Sequence, residues 1–239
     1  CCAKNGHDVT VFEKNHHIGG RARKFEVDGF MFDMGPSWYW MPDVFENFYQ
    51  LFGHTASDFY QLDRLSPSYR VYFGKDESVD IPASMEEIYE AIDAIEKGSA
   101  AKLKKFLAEA NYKYEVGMGE FVFKPSLSFT EFLDPKLLTS VFRLDMFQSI
   151  SKHIRASFKD PRLIQILEFP VLFLGAKPSE TPAMYSLMNY ADWTLGTWYP
   201  QGGMHKIIEA MKTICKEQGV KIETDANVKR IIAIGNHAT

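Results

Sequence analysis

Near its start the chain carries a short apolar strand that ends in an acidic residue and is followed by two glycines and an arginine. Residues 9–13 form the predicted strand, which ends at Glu13, and Gly19, Gly20 and Arg21 follow a short loop. A carboxylate at such a strand end accepts hydrogen bonds from both hydroxyls of a ribose. Paired glycines let backbone N–H groups approach a diphosphate, and an arginine supplies matching charge. The pattern therefore predicts a dinucleotide-binding edge of a parallel sheet.

The glycine-rich turn that normally precedes this acid by about 20 residues is absent, because the sequence begins at Cys1. Residues 1–6 resemble the end of a helix that Gly6 closes. We therefore expect the chain to be a fragment that lacks its first strand and its glycine-rich loop.

Composition limits the classes of function. The chain has 239 residues, of which 46% are hydrophobic, so it can bury a substantial core. Its net charge of −4 gives no basic excess of the kind that binds nucleic acid. Three cysteines without metal-ligand spacing predict neither a disulfide framework nor a metal site, and they favour a reducing compartment such as the cytoplasm. No apolar run approaches the roughly 20 residues that span a bilayer.

The middle of the chain is predicted to be mostly helical. Ser84 and Glu87 form a capping-box pattern before an amphipathic helix. Asp160 and Thr181 each precede a proline, as helix-capping residues do. The apolar spacing predicts further helices over 99–114, near 130–133, and over 136–157, 161–174 and 182–191.

Helical and strand patterns change again after residue 195. The segment 198–203 is rich in aromatic residues and glycine, and an amphipathic helix from Met204 to Gly219 follows it. Strands are predicted over 220–224 and 227–234. We therefore expect three segments: 1–68 and 196–239, which together form a nucleotide-binding layer, and 69–195, a mostly helical insertion with one strand pair.

Four segments together resemble the bacterial-type phytoene desaturase and carotenoid desaturase family of the FAD-dependent amine oxidase superfamily. They are residues 9–22, the Gly29–Pro36 segment, Ser186-Leu187 and the Trp198–Met204 segment. The resemblance covers essentially the whole chain. The chain lacks the N-terminal Gly-rich loop and the C-terminal half that members of this family have. It implies an α/β fold with an incomplete Rossmann-like FAD-binding layer and an inserted, mainly helical substrate domain.

The resemblance also assigns cofactor-binding residues. It implies that Glu13 holds the adenosine ribose of FAD and that Gly19, Gly20 and Arg21 line the diphosphate. The peptide around Gly35 and Pro36 is then expected close to the isoalloxazine ring. Two interpretations of Gly202 and Gly203 stay open: the helix amides after them face the flavin or its phosphates, or the pair is a plain loop-to-helix turn.

The implied reaction is the FAD-dependent desaturation of a phytoene-like carotenoid precursor, with hydride transfer to the flavin. The implied partners are a long apolar polyene, a membrane surface that the protein touches peripherally, and quinone or oxygen as the electron acceptor. We expect no nucleic acid partner, and the sequence identifies no catalytic residue. Aromatic residues of the helical domain either line a polyene tunnel or form ordinary core; they are Phe142, Phe147, Phe158, Phe169, Phe173, Tyr185, Tyr190 and Trp193.

Two other functions remain open at this point. One is another flavoenzyme of the superfamily, such as a carotene isomerase, a retinol-saturase-like enzyme, or an amine or protoporphyrinogen oxidase. The other is a fragment without catalytic function. We expect the chain on its own to be inactive, to bind FAD weakly and to aggregate, because its sheet would have unpaired edges.

Overall fold

A computed structural model describes residues 1–122, 127, 145–235 and 237–238 of the protein. The chain forms two compact units. The first combines Cys1–Asp63 with Trp198–Thr239, and the second is Arg64–Thr197. The second unit is thus inserted into the sequence of the first, and each is described by itself. That the first unit binds a cofactor and the second a substrate stays a prediction.

Helices and strands are mixed, as expected for the α/β class. The strands are β1 Thr10–Phe12, β2 Lys24–Val27, β3 Phe30–Asp33, β4 Leu62–Arg64, β5 Tyr69–Tyr72, β6 Ser78–Ile81, β7 Trp198–Pro200, β8 Lys221–Glu223, β9 Ala233–Ile234 and β10 His237–Ala238. The α-helices are α1 Pro42–Gln50, α2 Met85–Ile95, α3 Ser99–Val116, α4 Ile150–Ser157, α5 Pro161–Glu168, α6 Leu187–Tyr190 and α7 His205–Glu217.

The first unit contains a parallel strand pair. Strands β1 and β8 lie side by side, with Val11 opposite Ile222. Helix α7 runs directly into β8, and this helix–strand order is what a parallel neighbour requires. Both predicted strands are confirmed. The predicted strand over 227–234 is wrong, because only β9 forms there and it pairs with β10 rather than with this sheet.

Strands β2 and β3 form an antiparallel hairpin. Its turn residues, Asp28 and Gly29, have φ values of 51° and 80°. Two central residues with positive φ match the twist of a two-residue hairpin, and Asp-Gly is a favoured pair for it. The register places Lys24 opposite Asp33, so Asp33 lies at the open end of the hairpin.

Helix α7 contributes its apolar face to the core of the first unit. That core also contains a group of three buried tyrosines, in which the Tyr60 hydroxyl lies 3.0 Å from that of Tyr39 and 2.9 Å from that of Tyr49. Burial raises the pKa of all three phenols above the usual range. The core members are Tyr39, Tyr49, Tyr60, Met204, Ile207, Ala210 and Ile214.

Capping residues begin several helices of the second unit. The Ser84 hydroxyl accepts a hydrogen bond from the Glu87 amide, and Asp160 accepts one from the Arg162 amide, so both predicted N-caps are confirmed. The prediction for Thr181 is wrong. Its hydroxyl donates to the Lys177 carbonyl at 2.9 Å, because the residues after Pro182 begin a 3-10 turn instead of an α-helix.

Three predicted helices are shorter than the apolar spacing suggested. Helix α5 ends at Glu168, and a 3-10 turn, Phe169–Leu174, follows it because Pro170 lacks an amide donor. A single helix was predicted over 182–191, but the structure has a 3-10 turn, then the short helix α6, then a π-helical turn, Ala191–Leu195. Residues 145–149 are not helical, since α4 begins after Ser149. The predictions for 130–133 and 136–144 lie outside the described residues.

A buried carboxylate lies in the π-helical turn. Asp192 is 0% exposed, and it accepts hydrogen bonds from the hydroxyls of Tyr69 at 2.6 Å and Thr197 at 2.8 Å. Burial raises its pKa from 3.8 to about 6. The Arg64 guanidinium donates to the Leu195 carbonyl at 3.0 Å, and it lies where a side chain on Gly196 would project.

Asp192 makes stability depend on pH. Because its folded pKa is raised, it favours folding below its unfolded pKa near 4, and this contribution is lost as pH rises through about 6. A shift of about two pKa units corresponds to about 3 kcal/mol. We therefore expect Asp192→Asn to gain free energy of unfolding, relative to wild type, between pH 4 and 7. Urea unfolding of the complete gene product across that range measures this difference, with Asp76→Asn as the exposed control. Parallel profiles for wild type and Asp192→Asn would contradict the assignment.

The core of the second unit gathers four helices around a strand pair. It is centred on α2, α3, α4 and α5, with β6 and Trp193. Within the part of the chain that the structure describes, no helix combines the length and hydropathy needed to cross a membrane. The core members are Ile81, Ile88, Ile92, Leu103, Phe106, Leu107, Ile150, Ile154, Phe158, Leu163, Ile164, Ile166, Leu167, Val171 and Trp193.

Candidate functional site

The carboxylate of Glu13 is held at the carboxyl end of β1. Its Oε1 accepts hydrogen bonds from the backbone amide and from Nδ2 of Asn15, both at 2.8 Å. The Glu13 backbone is fixed on both sides, since its amide donates to the Glu223 carbonyl and its carbonyl accepts from the Ala226 amide. Among the described residues, none donates to Oε2. One carboxylate oxygen is therefore oriented by the protein and the other is available to a hydroxyl group.

The two glycines after this strand have left-handed backbones. Gly19 has φ +112°, and a Cβ built on it would lie 3.3 Å from two carbon atoms of Ile208 on α7. Gly20 has φ +53° and begins a 3-10 turn that contains Arg21. A side chain at Gly19 would be both strained and crowded, whereas Gly20 is needed for its conformation alone. The loop thus lies tightly against α7 with the Arg21 side chain exposed.

Gly35 packs directly against the Arg21 backbone. A Cβ on Gly35 would overlap the Arg21 carbonyl oxygen and lie 3.0 Å from the carbonyl carbon. The Gly35 backbone is not left-handed, so glycine is required here for space. Next to it, the Met34 amide donates to the Arg23 carbonyl at 2.9 Å. Two motifs that sequence reasoning treated separately therefore form one contact, with Pro36 exposed beside it.

Asp33 connects the hairpin to the start of α7. Its Oδ2 accepts hydrogen bonds from the Tyr199 hydroxyl at 2.6 Å and from the Met204 amide at 2.8 Å, and its Oδ1 accepts one from the His205 amide at 3.2 Å. The hydrogen bond to Asp33 raises the pKa of Tyr199 to about 12. A Cβ on Gly203 would lie 3.1 Å from Oδ2. Asp33 lies within the Gly29–Pro36 motif, but the sequence assigned it no role. The residues next to it in the sequence do not indicate a partner on a distant helix.

The remaining amides of the first turn of α7 are also engaged. The Lys206 amide donates to the Gly203 carbonyl at 3.1 Å, and the Ile207 amide donates to the Met204 carbonyl at 3.2 Å. The hydrogen bonds therefore support the loop-to-helix interpretation of Gly202 and Gly203. Contact between these two glycines and a flavin stays a prediction.

A cleft of about 360 Å³ lies beside the loop that follows Glu13. It is mixed in charge, and the exposed His16 on its rim lies 3.0 Å from a carboxylate oxygen of Asp225. No three histidine, cysteine, aspartate or glutamate side chains converge as a metal site in the described ranges. The lining residues are His16, His17, Ile18, Lys24, Phe25, Glu26, His205, Glu209, Lys212 and Thr224.

The second unit holds a buried lysine that sequence reasoning missed. Lys113 is 1% exposed, and its ammonium pairs with Asp145 at 2.9 Å and donates to Ser186 Oγ and the Ala183 carbonyl, both at 3.3 Å. These partners account for its three N–H donors. The group therefore joins α3 to the turn before α6, although a cleft of about 660 Å³ lies beside it.

The aromatic residues considered for a polyene tunnel have different environments. Phe158 and Trp193 are fully buried in the core, so the ordinary-core interpretation holds for them. Phe147 and Phe173 are exposed. Phe142 lies outside the described residues. These four described members of the set therefore do not share one environment.

Comparison with known proteins identifies relatives. A model of the family described as flavin containing amine oxidoreductase matches residues 3–238. The chain is 37% identical over 230 residues to a carotenoid 3,4-desaturase of Haloarcula japonica, covering 96% of this chain and 46% of the relative. It is 31% identical to a zeta-carotene-forming phytoene desaturase of Myxococcus xanthus, covering 98% and 45%. The resemblance inferred from the motifs is confirmed.

Solved structures show the same fold at low sequence identity. A protein of Pyrococcus furiosus matches with a TM-score of 0.56 and 17% identity, over 94% of this chain and 47% of that one. An oxidoreductase of Methanosarcina mazei matches with a TM-score of 0.53 and 19% identity, over 99% and 50%. The chain spans about half the length of the curated relatives and solved structures it matches.

Proposed function

The chain belongs to the family of flavin containing amine oxidoreductases, and from this premise we propose that its protein is an FAD-dependent desaturase of a carotenoid-type polyene. Three relatives at 30% identity or more are the two desaturases named above and a 4,4'-diapophytoene desaturase of Staphylococcus aureus. Their names supply the substrate class. The residues at the carboxyl end of β1 in the first unit support FAD as the cofactor.

The observation that carries the proposal is the arrangement at the carboxyl end of β1. Glu13 presents one open carboxylate oxygen, and the Gly19–Arg21 loop lies directly after it. Gly35 contacts the same loop through the Arg21 carbonyl. In Rossmann-like layers, ligands bind beyond the carboxyl ends of parallel strands. The candidate residues lie at that end of β1, which favours such a layer here. A dinucleotide fits these residues because they combine a hydroxyl acceptor, close backbone approach and an exposed guanidinium.

In the proposed reaction each of these residues binds or orients. Glu13 would accept the ribose hydroxyls, Arg21 and the glycine loop would hold the diphosphate, and the peptide at Gly35 and Pro36 would lie close to the ring system. FAD, when bound, would supply a hydride acceptor, which is the chemistry needed to turn a C–C single bond of the polyene into a double bond with loss of a proton from the adjacent carbon. The protein supplies position and exclusion of water. The proposed final electron acceptor is quinone or oxygen.

We further propose that the protein touches a membrane surface through the 3-10 turn Phe169–Leu174. Leu172, Phe173 and Leu174 are three consecutive exposed apolar residues, and Lys177 follows them. Lys177 pairs with Glu180 at 3.3 Å, so the apolar tip itself is the feature that suits a bilayer interface. A polyene substrate is stored in such a bilayer, which favours this occupant over a protein partner.

Leu172→Asp is expected to weaken vesicle binding about tenfold, because a carboxylate replaces apolar area at the interface. The measurement is co-sedimentation of the complete gene product with vesicles of phosphatidylglycerol and phosphatidylcholine. Leu51→Asp, at an equally exposed leucine of the first unit, is the matched control. Equal binding of both variants and wild type would remove this turn from the interface.

The desaturase proposal is tested with the complete gene product. We expect it to bind FAD stoichiometrically and to convert phytoene into products with longer conjugation, seen as new visible absorption bands. Phytoene without FAD, and FAD without protein, are the controls. A flavoprotein that oxidises amines but leaves phytoene unchanged would belong to another branch of the family. A protein that stays colourless with added FAD would end the flavin assignment.

A further inference from the structure

We propose that Asp33 is a positioning residue that fixes the Gly35–Pro36 segment for flavin binding, an inference that rests on the proposed function. Asp33 ends β3, and Gly35 follows two residues later. Its carboxylate is not directed to solvent, because three donors from the segment 199–205 occupy it. The position of Gly35 is therefore set from its own strand and from α7 together.

The negative charge of Asp33 stabilises the start of α7. The first amides of a helix have no partner within the helix, and they carry a partial positive charge. Asp33 satisfies the amides of Met204 and His205, one with each oxygen. An anionic group from the same unit thus takes the place that a phosphate would occupy at this helix. A flavin phosphate is then expected at the Gly19–Arg21 loop instead.

The other side of the Gly35 segment is equally restricted. The Met34 amide donates to the Arg23 carbonyl, and the Arg21 carbonyl occupies the space that a Cβ on Gly35 would take. The segment is therefore held on one side by the Gly19–Arg21 loop and on the other by the contacts of Asp33 with the start of α7. Replacing the Asp33 carboxylate by an amide would remove one of its two acceptor oxygens. One of the contacts between Asp33 and the start of α7 would then be lost, which would release that end of the segment. The displacement would then reach Gly35 through a single intervening residue.

The test uses the complete gene product with FAD and the variant Asp33→Asn. We expect FAD to bind roughly tenfold to a hundredfold more weakly, because hydrogen bonds to a charged acceptor are lost. At saturating FAD we also expect the flavin absorption maximum and the midpoint potential to shift, which a loss of stability alone would not cause. Asp63→Asn is the matched control, because Asp63 is exposed and accepts only from Gln201 of the neighbouring loop among the described residues.

An Asp33→Asn variant that folds and matches the wild type in FAD affinity, spectrum and potential would overturn the inference. If that variant does not fold, the variant Tyr199→Phe is the test, because it removes the hydroxyl that donates to Asp33. It keeps the hydrogen bonds from the Met204 and His205 amides. A shifted flavin spectrum in Tyr199→Phe supports the inference, and an unchanged spectrum and affinity overturn it. Failure of the wild type to bind FAD would overturn the proposed function itself, so the two failures are distinguishable.

Discussion

Gly35→Ala is expected to lower the free energy of unfolding by about 3 kcal/mol, the upper part of the range for overpacked sites. The added methyl group would overlap the Arg21 carbonyl oxygen, which is backbone and cannot rotate away. Relief requires the Gly19–Arg21 loop or the Gly35–Pro36 segment to shift. Urea unfolding of the complete gene product, with the variant compared to wild type, measures the loss.

Gly119→Ala is the matched control for this substitution. Gly119 also has a backbone outside the left-handed region, and a Cβ there would have no atom within 4 Å. Alanine in that helical turn is expected to be neutral or slightly stabilising. An unfolding free energy of Gly35→Ala equal to that of Gly119→Ala would contradict the contact between the two motifs.

Glu13→Gln is expected to weaken FAD binding of the complete gene product roughly tenfold to a hundredfold. The substitution keeps an oxygen for Asn15 but replaces the open carboxylate oxygen by an amide donor. A donor facing the ribose hydroxyls removes a charge-assisted hydrogen bond worth about 1.5–3 kcal/mol. Titration followed by flavin fluorescence quenching gives the dissociation constant.

The stability of Glu13→Gln is expected to stay close to that of wild type, because the Asn15 contacts survive. Glu90→Gln, at an exposed glutamate of α2, serves as the control for loss of a carboxylate. Unchanged FAD affinity in Glu13→Gln would place the ribose elsewhere and remove the main support for the dinucleotide site.

Much of the local structure followed from short sequence patterns. The caps at Ser84 and Asp160 and the strands β1 and β8 were all predicted. Each depends on backbone sterics or on hydrogen bonds within a few residues. The prediction over 227–234 failed for the opposite reason, since a strand needs a partner and an alternating pattern does not reveal one.

Sequence patterns also located the motifs of the candidate site, from Glu13 to Gly203, and they indicated the family. They left out the contacts that bring those motifs together. Asp33 caps a helix that begins at His205, Gly35 rests on the Arg21 carbonyl, and Arg64 occupies the space over Gly196. A local motif depends on neighbours along the chain, so its residues record it directly. A contact between distant segments forms only when the chain folds, and the residue types alone do not determine which segments will be in contact.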